Sequence, residues 1–375
     1  MKALFWFSIF WVWYTYVGFF ALVSLLAFLR PRRVNKADVE PIVTLVIAAY
    51  NEEPVIREKI LNSLRLDYPE EKLEILVAAD GSTDRTADIA REYPGVKVLH
   101  ETERRGKSAA LNRAAAAAAG EVFFFSDANT IYAPGALRRL VRNFNDPSVG
   151  GVSGRKVVRS DSRREAAAGE KGFWNYEARL KKAETDLGSV STADGEMFAV
   201  RRSLYEAIPP RMVHDDMYLT LKIVQKGFRV VYEWDAVSEE AASKSLRDEF
   251  FLKTRYASAG YQILKEFREM LLPPRTWFAG QFLSHKLLRW AAPFPLIAAF
   301  VLSALIPSSL YREIFALQCA FYATAVAGFF LTRRGIKNPL LYFPLYFCFG
   351  NGAALYGFFK FFRGGQSPLW RKAER

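Results

Sequence analysis

The chain has 375 residues, 51% of them hydrophobic and 24% charged, which leaves room for one domain of roughly 230–250 residues beside apolar segments. Its net charge of +13 gathers beside apolar runs, at 30–33, 333–337 and 363–375; that placement suits anionic headgroups and argues against nucleic acid, which asks for a basic stripe on a soluble fold. The two cysteines, Cys319 and Cys348, both lie in apolar segments; they exclude a disulfide framework or a cysteine metal site and permit a reducing compartment.

In chain order, residues 4–29 form an uncharged apolar run followed by Arg30-Pro31-Arg32-Arg33. The run exceeds the roughly 20 residues that cross a bilayer and is too long for a cleaved signal. Residues 1–33 are therefore expected to be an uncleaved anchor, with the basic flank and the following domain on the cytoplasmic side of the plasma or inner membrane. A short connector, 34–40, leads into alternating strand-like and helix-like stretches that predict an α/β domain over 34–247. Strands are expected at Ile42–Ala49, Leu73–Ala79, Val96–His100 and Glu121–Ser126, with helices at 54–66, 84–92, 107–119 and 134–145 between and after them. The alternation then weakens: a longer strand at Val149–Arg159, an amphipathic helix at 164–186, a loop and strand at 193–201, a helix at 216–226 and a strand at 228–234. Residues 248–290 read as amphipathic helices lying at the membrane interface. Apolar segments fill 291–362, with spans expected at about 288–307 and 313–331. The stretch 339–362 contains Pro339, Pro344, Gly350 and Gly352, so a crossing helix and a re-entrant hairpin both remain open. The basic tail is 363–375.

Acidic loops at strand ends carry the chemistry. Asp80-Gly81-Ser82-Thr83-Asp84 follows the second strand, Ser126-Asp127-Ala128-Asn129 ends the fourth, and His214-Asp215-Asp216 opens a helix. An ionised carboxylate at the end of a buried strand needs a cation, donors or water, and ligands of open α/β sheets sit beyond the strands' carboxyl ends. Arg104-Arg105-Gly106-Lys107 precedes the alanine-rich helix, where a glycine turn, a lysine and a helix N-terminus together attract phosphate. Structural readings stand beside these: Asn51 or Glu52 as a helix cap, Asp80 in an Asx turn, Asp84 as an N-cap, Arg104 and Arg105 as a solvated turn, Asp215 and Asp216 as caps.

The run VTLVIAAYNEEPVI followed by VAADGSTDRT, then SDANT, ADGEMFAVRR and HDDMYLTLKIVQKGFRVVY, resembles family 2 glycosyltransferases with the GT-A nucleotide-binding fold, a mixed sheet. The membrane arrangement resembles that of cellulose, chitin, hyaluronan and poly-N-acetylglucosamine synthases. The resemblance implies that Tyr50, Asn51, Glu52, Asp80 and Asp84 meet the nucleoside of a UDP-sugar and that Lys107 meets its diphosphate. Asp127 and Asn129 stand where the family has Asp-x-Asp and would hold Mg2+ or Mn2+; the second acid is replaced by an amide. Asp216, last in a motif that departs from Thr-Glu-Asp, would be the general base, with Asp215 and Asp194 on the acceptor side. Arg255-Tyr256 stands where the processive enzymes have Arg-Trp, so Arg255 would touch the donor; the motif's glutamine is lost, and a basic amphipathic helix at the headgroups is the structural reading.

The expected function is a multi-pass, inverting glycosyltransferase extending a polysaccharide. Single addition to a lipid-linked or membrane-bound acceptor is the alternative, and a non-catalytic membrane scaffold a remote one. Membrane lipids are expected partners, nucleic acid is not, and export through so few spans would call for a partner or a homo-oligomer.

Overall fold

A computed structural model describes residues 1–159, 167–243, 245–334, 339–364, 367 and 369. The start of the helix expected at 164–186, most of the basic stretch 333–337 and most of the 363–375 tail lie outside the described residues.

Eight strands form one mixed sheet: β1 Val43–Ala49, β2 Leu73–Asp80, β3 Val96–Glu101, β4 Val122–Asp127, β5 Ile131–Tyr132, β6 Val149–Arg159, β7 Phe198–Arg201 and β8 Arg229–Ala241. Their order is β3-β2-β1-β4-β7-β6-β8-β5. The β3-β2-β1-β4 half is parallel, β7 runs antiparallel to both β4 and β6, and β6 pairs parallel with β8. Every residue of β1 is buried, as expected of a parallel strand covered on both faces. The period of two sorts the side chains. Val46, Phe123 and Phe125 face Ala110, Leu111 and Ala114, whereas Leu45, Ile47 and Phe124 face Ile56 and Ile60. Each buried phenylalanine contributes about 1.5–3 kcal/mol by burial.

The alanine-rich helix ends at Ala117, short of the expected 119, because Ala118 is already extended. The chain must then pass against β1: a Cβ on Gly120 would come within 2.5 Å of the Thr44 nitrogen. The strand expected at 228–234 runs on to Ala241 across a register break between Gly154 and Arg155 of β6, a bulge that lengthens one strand past its partner.

Among the described residues two helices, Lys2–Leu29 and Ser309–Thr332, are long and apolar enough to cross a membrane, or three spans if Trp277–Ala291 and Pro293–Leu305 form one span bent by 54°. Pro293 and Pro295 fall at the bend, where missing amide hydrogens interrupt the helical ladder. Pro339–Phe362 is one helix with Pro344 inside it, not a hairpin, and it packs along Leu246–Glu266. The stretch 277–290 does not turn its charges toward headgroups. His285 and Lys286 are buried against glutamates of the helix Ala167–Leu187, which supply the counter-charges that a lipid surface would otherwise provide.

Candidate active site

The parallel register sets Ala48 beside Asp127 and Ala49 beside Ala79, so the ends of β1, β2 and β4 open on one crevice. Asn51 begins it in the left-handed region, at φ 51, a conformation asparagine tolerates better than most residues. Its side-chain oxygen accepts from the Thr83 N–H at 2.9 Å, and its own N–H donates to Ser82 Oγ. Asp84 accepts from the N–H groups of Glu53 and Thr86, at 3.1 and 3.0 Å, and the Glu52 N–H donates to Thr86 Oγ1. Asp84 therefore ties together the starts of two helices, Glu53–Leu64 and Thr86–Arg91, which is the capping role. Arg104 is half-buried, and its guanidinium lies 3.6 Å from the centre of the Tyr50 ring. Arg105 is exposed and pairs with Glu103.

Asp80 is fully buried. Its carboxylate accepts from the Arg105 and Gly106 N–H groups, the latter at 2.6 Å, and from Arg113 at 3.3 Å. With its lone pairs met from inside the protein, the geometry gives Asp80 the task of holding the 105–106 turn instead of meeting a base itself. That turn, with Gly106 at φ 97, starts the helix Lys107–Ala117 and aims Lys107.

Lys107 Nζ lies 2.8 Å from Asp127 Oδ1 and 3.4 Å from Asp215 Oδ2. Burial disfavours its charge, but Asp127 and Asp215 more than offset this and raise its pKa. Asn129 donates its amide to Glu240 Oε1 at 2.9 Å. Behind the loop lies Lys59, fully buried, donating to the Thr130 carbonyl at 2.7 Å with its ammonium 3.6 Å from the Tyr132 ring centre. Sequence reading overlooked it, although Lys59 shares an i, i+3, i+4, i+7 stripe with Ile56, Ile60 and Ser63, the apolar face of its helix.

The helix Asp215–Gln225 brings its N-terminus to the same crevice. Asp216 Oδ2 accepts from the Gly195 N–H at 3.1 Å and Oδ1 from the Met217 N–H at 2.7 Å; His214 Nδ1 stands 3.7 Å from Oδ1. Burial opposes the charge of Asp216, but His214, Lys107 and the Met217 N–H hold its carboxyl at about 2. Asp215 moves the other way: burial raises its pKa, as do Asp216 and Asp127, against the pull of Lys107. The His214 ring also meets the Tyr256 carbonyl at 3.1 Å, docking this helix on Leu246–Glu266. Arg255 is the neighbour of that contact and lies 5.8 Å from the Tyr256 ring centre.

Asp194 departs from expectation. It is buried in an ion pair with Lys181, while its N–H donates to Ser153 Oγ at 2.9 Å. A carboxylate committed to a buried ammonium is not presented to a sugar. Gly195 beside it is the residue that touches Asp216.

The donor set fits a hard divalent ion. Asp127 and Asn129 would offer it oxygen ligands, and a cationic group, the Lys107 ammonium, lies between Asp127 and Asp215. Among the described residues no three His, Cys, Asp or Glu side chains converge as a complete metal cage. Mg2+ and Mn2+ characteristically bind through one or two carboxylates plus substrate phosphates.

Residues 44–208 match the family model described as Glycosyl transferase family 2. The Beta-monoglucosyldiacylglycerol synthase of Nostoc sp. is 29% identical over 274 residues, covering 70% of this chain and 58% of that protein. The Poly-beta-1,6-N-acetyl-D-glucosamine synthase of Staphylococcus aureus is 26% identical over 264 residues, covering 68% and 63%. The chain thus spans less than two thirds of the length of these relatives. Among solved structures, the mannosyltransferase PcManGT from Pyrobaculum calidifontis, in complex with GDP-Man and Mn2+, aligns with a TM-score of 0.73 at 25% identity, covering 96% of this chain and 99% of that one. Residues 44–208 thus match glycosyltransferase family 2, and the domain has the GT-A fold.

Proposed function

We propose that this chain is a membrane-embedded, inverting glycosyltransferase that moves a sugar from a nucleoside diphosphate sugar to a hydroxyl of a membrane-bound acceptor. The observation that carries the reading is the meeting of Lys107, Asp127, Asp215 and Asp216 in one crevice, with Lys107 Nζ 2.8 Å from Asp127. Such a cluster, rich in acids and opened by a helix N-terminus, suits a metal-bound diphosphate beside a proton acceptor.

Lys107 and the first turn of its helix would meet the diphosphate oxygens. Asp127 and Asn129 would hold Mg2+ or Mn2+, which when bound neutralises charge on the leaving diphosphate. Asp216, fixed by the Gly195 and Met217 N–H groups, would take the proton of the acceptor hydroxyl. The acceptor oxygen bonds to the anomeric carbon from the face opposite the diphosphate, the carbon–oxygen bond to phosphate breaks, and the configuration inverts. The Tyr50–Arg104 stack, beside the Asn51-Glu52 turn, is proposed to flank the nucleoside, and Arg255 to approach the donor from the helix Leu246–Glu266. The apolar helices packed on that side support an acceptor delivered from the membrane, with the catalytic domain in the cytoplasm.

Resemblance to polymer synthases supports extension of a polysaccharide from a UDP-sugar. Tyr256 in place of a tryptophan, and a whole-chain likeness to a structure solved with GDP-Man, support single addition and a guanosine donor. The test is nucleotide release by protein in nanodiscs with Mn2+ and UDP-glucose, UDP-N-acetylglucosamine or GDP-mannose, with products sized on a gel. A long product identifies a polymerase, and a product one sugar longer than an added lipid-linked acceptor identifies single addition. No release with any donor and acceptor, equal to that of Asp216→Asn, would favour the scaffold instead.

A further inference from the structure

The Asp194-Gly195-Glu196 turn lies against the proposed base, and its three residues have different fates. Asp194 is consumed by Lys181 and Gly195 holds Asp216. A Cβ on Gly195 would sit 3.3 Å from Asp216 Oδ2, so a glycine keeps the two in close contact. Glu196 is 7% exposed, and among the described residues its Oε1 has no hydrogen-bond donor. The nearest cation, Lys156 Nζ, is 3.8 Å away and belongs more closely to Glu240. Glu240 in turn receives the Asn129 amide. The Glu196 backbone is fixed as well, since Tyr132 Oη donates to its carbonyl at 2.7 Å.

The location of this oxygen is informative. Lys156 and Glu240 line a narrow cleft with Trp174 and Tyr256, and the Lys156 ammonium lies 4.5 Å from the Trp174 ring centre. The cleft adjoins the crevice at two points: Glu240 touches Asn129, and the Tyr256 carbonyl touches His214. A buried carboxylate oxygen without a donor is costly, and its nearest cation, Lys156, lines this cleft. Its lone pairs can accept from an O–H or N–H donor. Burial raises the Glu196 pKa, against the pull of Lys156, as expected where no donor stabilises the charged form.

We propose that Glu196 is a specificity-determining residue, its Oε1 accepting a hydrogen bond from one hydroxyl of a sugar bound at the transfer site. This deepens the transferase reading and rests on it. The sugar belongs either to the donor or to the acceptor, and the two sources are separable by experiment.

The experiment compares wild type with Glu196→Gln and Glu196→Ala in nanodiscs. It measures KM and kcat for donor and acceptor, donor affinity by calorimetry with Mn2+, and the thermal midpoint without substrate. Removing a site's polar partner for a hydroxyl weakens discrimination strongly, so a fall in kcat/KM of about 10- to 100-fold is expected for one substrate. An increase in donor KM assigns the hydroxyl to the donor sugar, and an increase in acceptor KM assigns it to the acceptor. A deoxy analogue lacking the matched hydroxyl should be used equally well by wild type and Glu196→Ala. The midpoint of Glu196→Gln should equal or exceed that of wild type, since a buried charge without a donor has been removed. Unchanged kinetics for both substrates, or a loss of activity accompanied by a lowered midpoint in both variants, overturns the proposal. Wild type that binds a nucleotide sugar but transfers to nothing would sink the transferase reading alone. In that case donor affinity equal in wild type and Glu196→Ala would overturn the Glu196 proposal too.

Discussion

Two clusters of charge in this molecule use the same residue types to opposite ends. One joins Lys107 to Asp127, Asp215 and Asp216 at the strand ends, where the Asp127 side chain is 37% exposed. The other is sealed between Ala167–Leu187 and Trp277–Ala291. There His285 lies between Glu184 at 2.7 Å and Glu177 at 3.2 Å, Glu177 also takes Lys286 and Arg289, and Lys181 takes Asp194. The second cluster balances acids with bases, and Ser191 donates both its N–H and its hydroxyl to Glu184. The first has three acids for one lysine and remains open to solvent. The difference teaches that a site is recognised by charge left for a ligand to complete, more than by the presence of charge.

The largest effect expected from breaking the comparison is at the open cluster. Asp216→Asn should lower kcat by about 100- to 10,000-fold, the range of a general base, with only a small fall in the thermal midpoint, since the ionised carboxyl also contributes to stability. Nucleotide release and differential scanning fluorimetry check the two halves. At the sealed cluster the signs reverse. Lys181→Met strands a buried carboxylate and should cost about 3–5 kcal/mol of stability, whereas Lys181→Met with Asp194→Leu should recover most of it; thermal unfolding of the three proteins reads this directly. Recovery of stability without recovery of kcat would show that the pair also aims Gly195 at Asp216.

The smallest expected effect is on pH dependence. The Asp216 carboxyl is held at about 2, below its ordinary value, so its contribution to stability is full above about pH 4 and lost as the pH falls through the folded value. Glu170, on the helix that carries the sealed cluster, goes the other way: burial, then the hydrogen bond and charge of Glu249, push it up to about 7. Its contribution is full below the ordinary glutamate value and lost as the pH rises through about 7. The thermal midpoint of wild type should therefore decline across neutrality, and Glu170→Gln should flatten that decline. A flat profile in wild type would show that Glu170 is ionised throughout.

Much of the donor half was legible in the sequence because its signals are local. Alternating β and α periods, glycine turns and acids at strand ends singled out Asp80, Lys107, Asp127 and Asp216; the register brings the ends of β1, β2 and β4 together, and Lys107 reaches Asp127. The partners inside the protein were not legible. Asp80 and Asp84 were read as ligand contacts or as turn and capping residues, and they are engaged by backbone amides of neighbouring turns. Asp194 was read as facing a sugar and faces Lys181. The basic helix at 277–290 was read as interfacial and finds its counter-charges on Glu177 and Glu184.

The sequence by itself determined the apolar N-terminal helix, the order of strands and turns, and which loops carry acid. Those properties depend on residues a few positions apart. Only the tertiary structure decided which carboxylates are spent within the protein and which are left for a ligand, because a charged side chain takes whichever counter-charge the fold brings near. For Glu184 that partner, His285, is 101 positions along the chain; for Glu196, no partner among the described residues donates a hydrogen bond to Oε1.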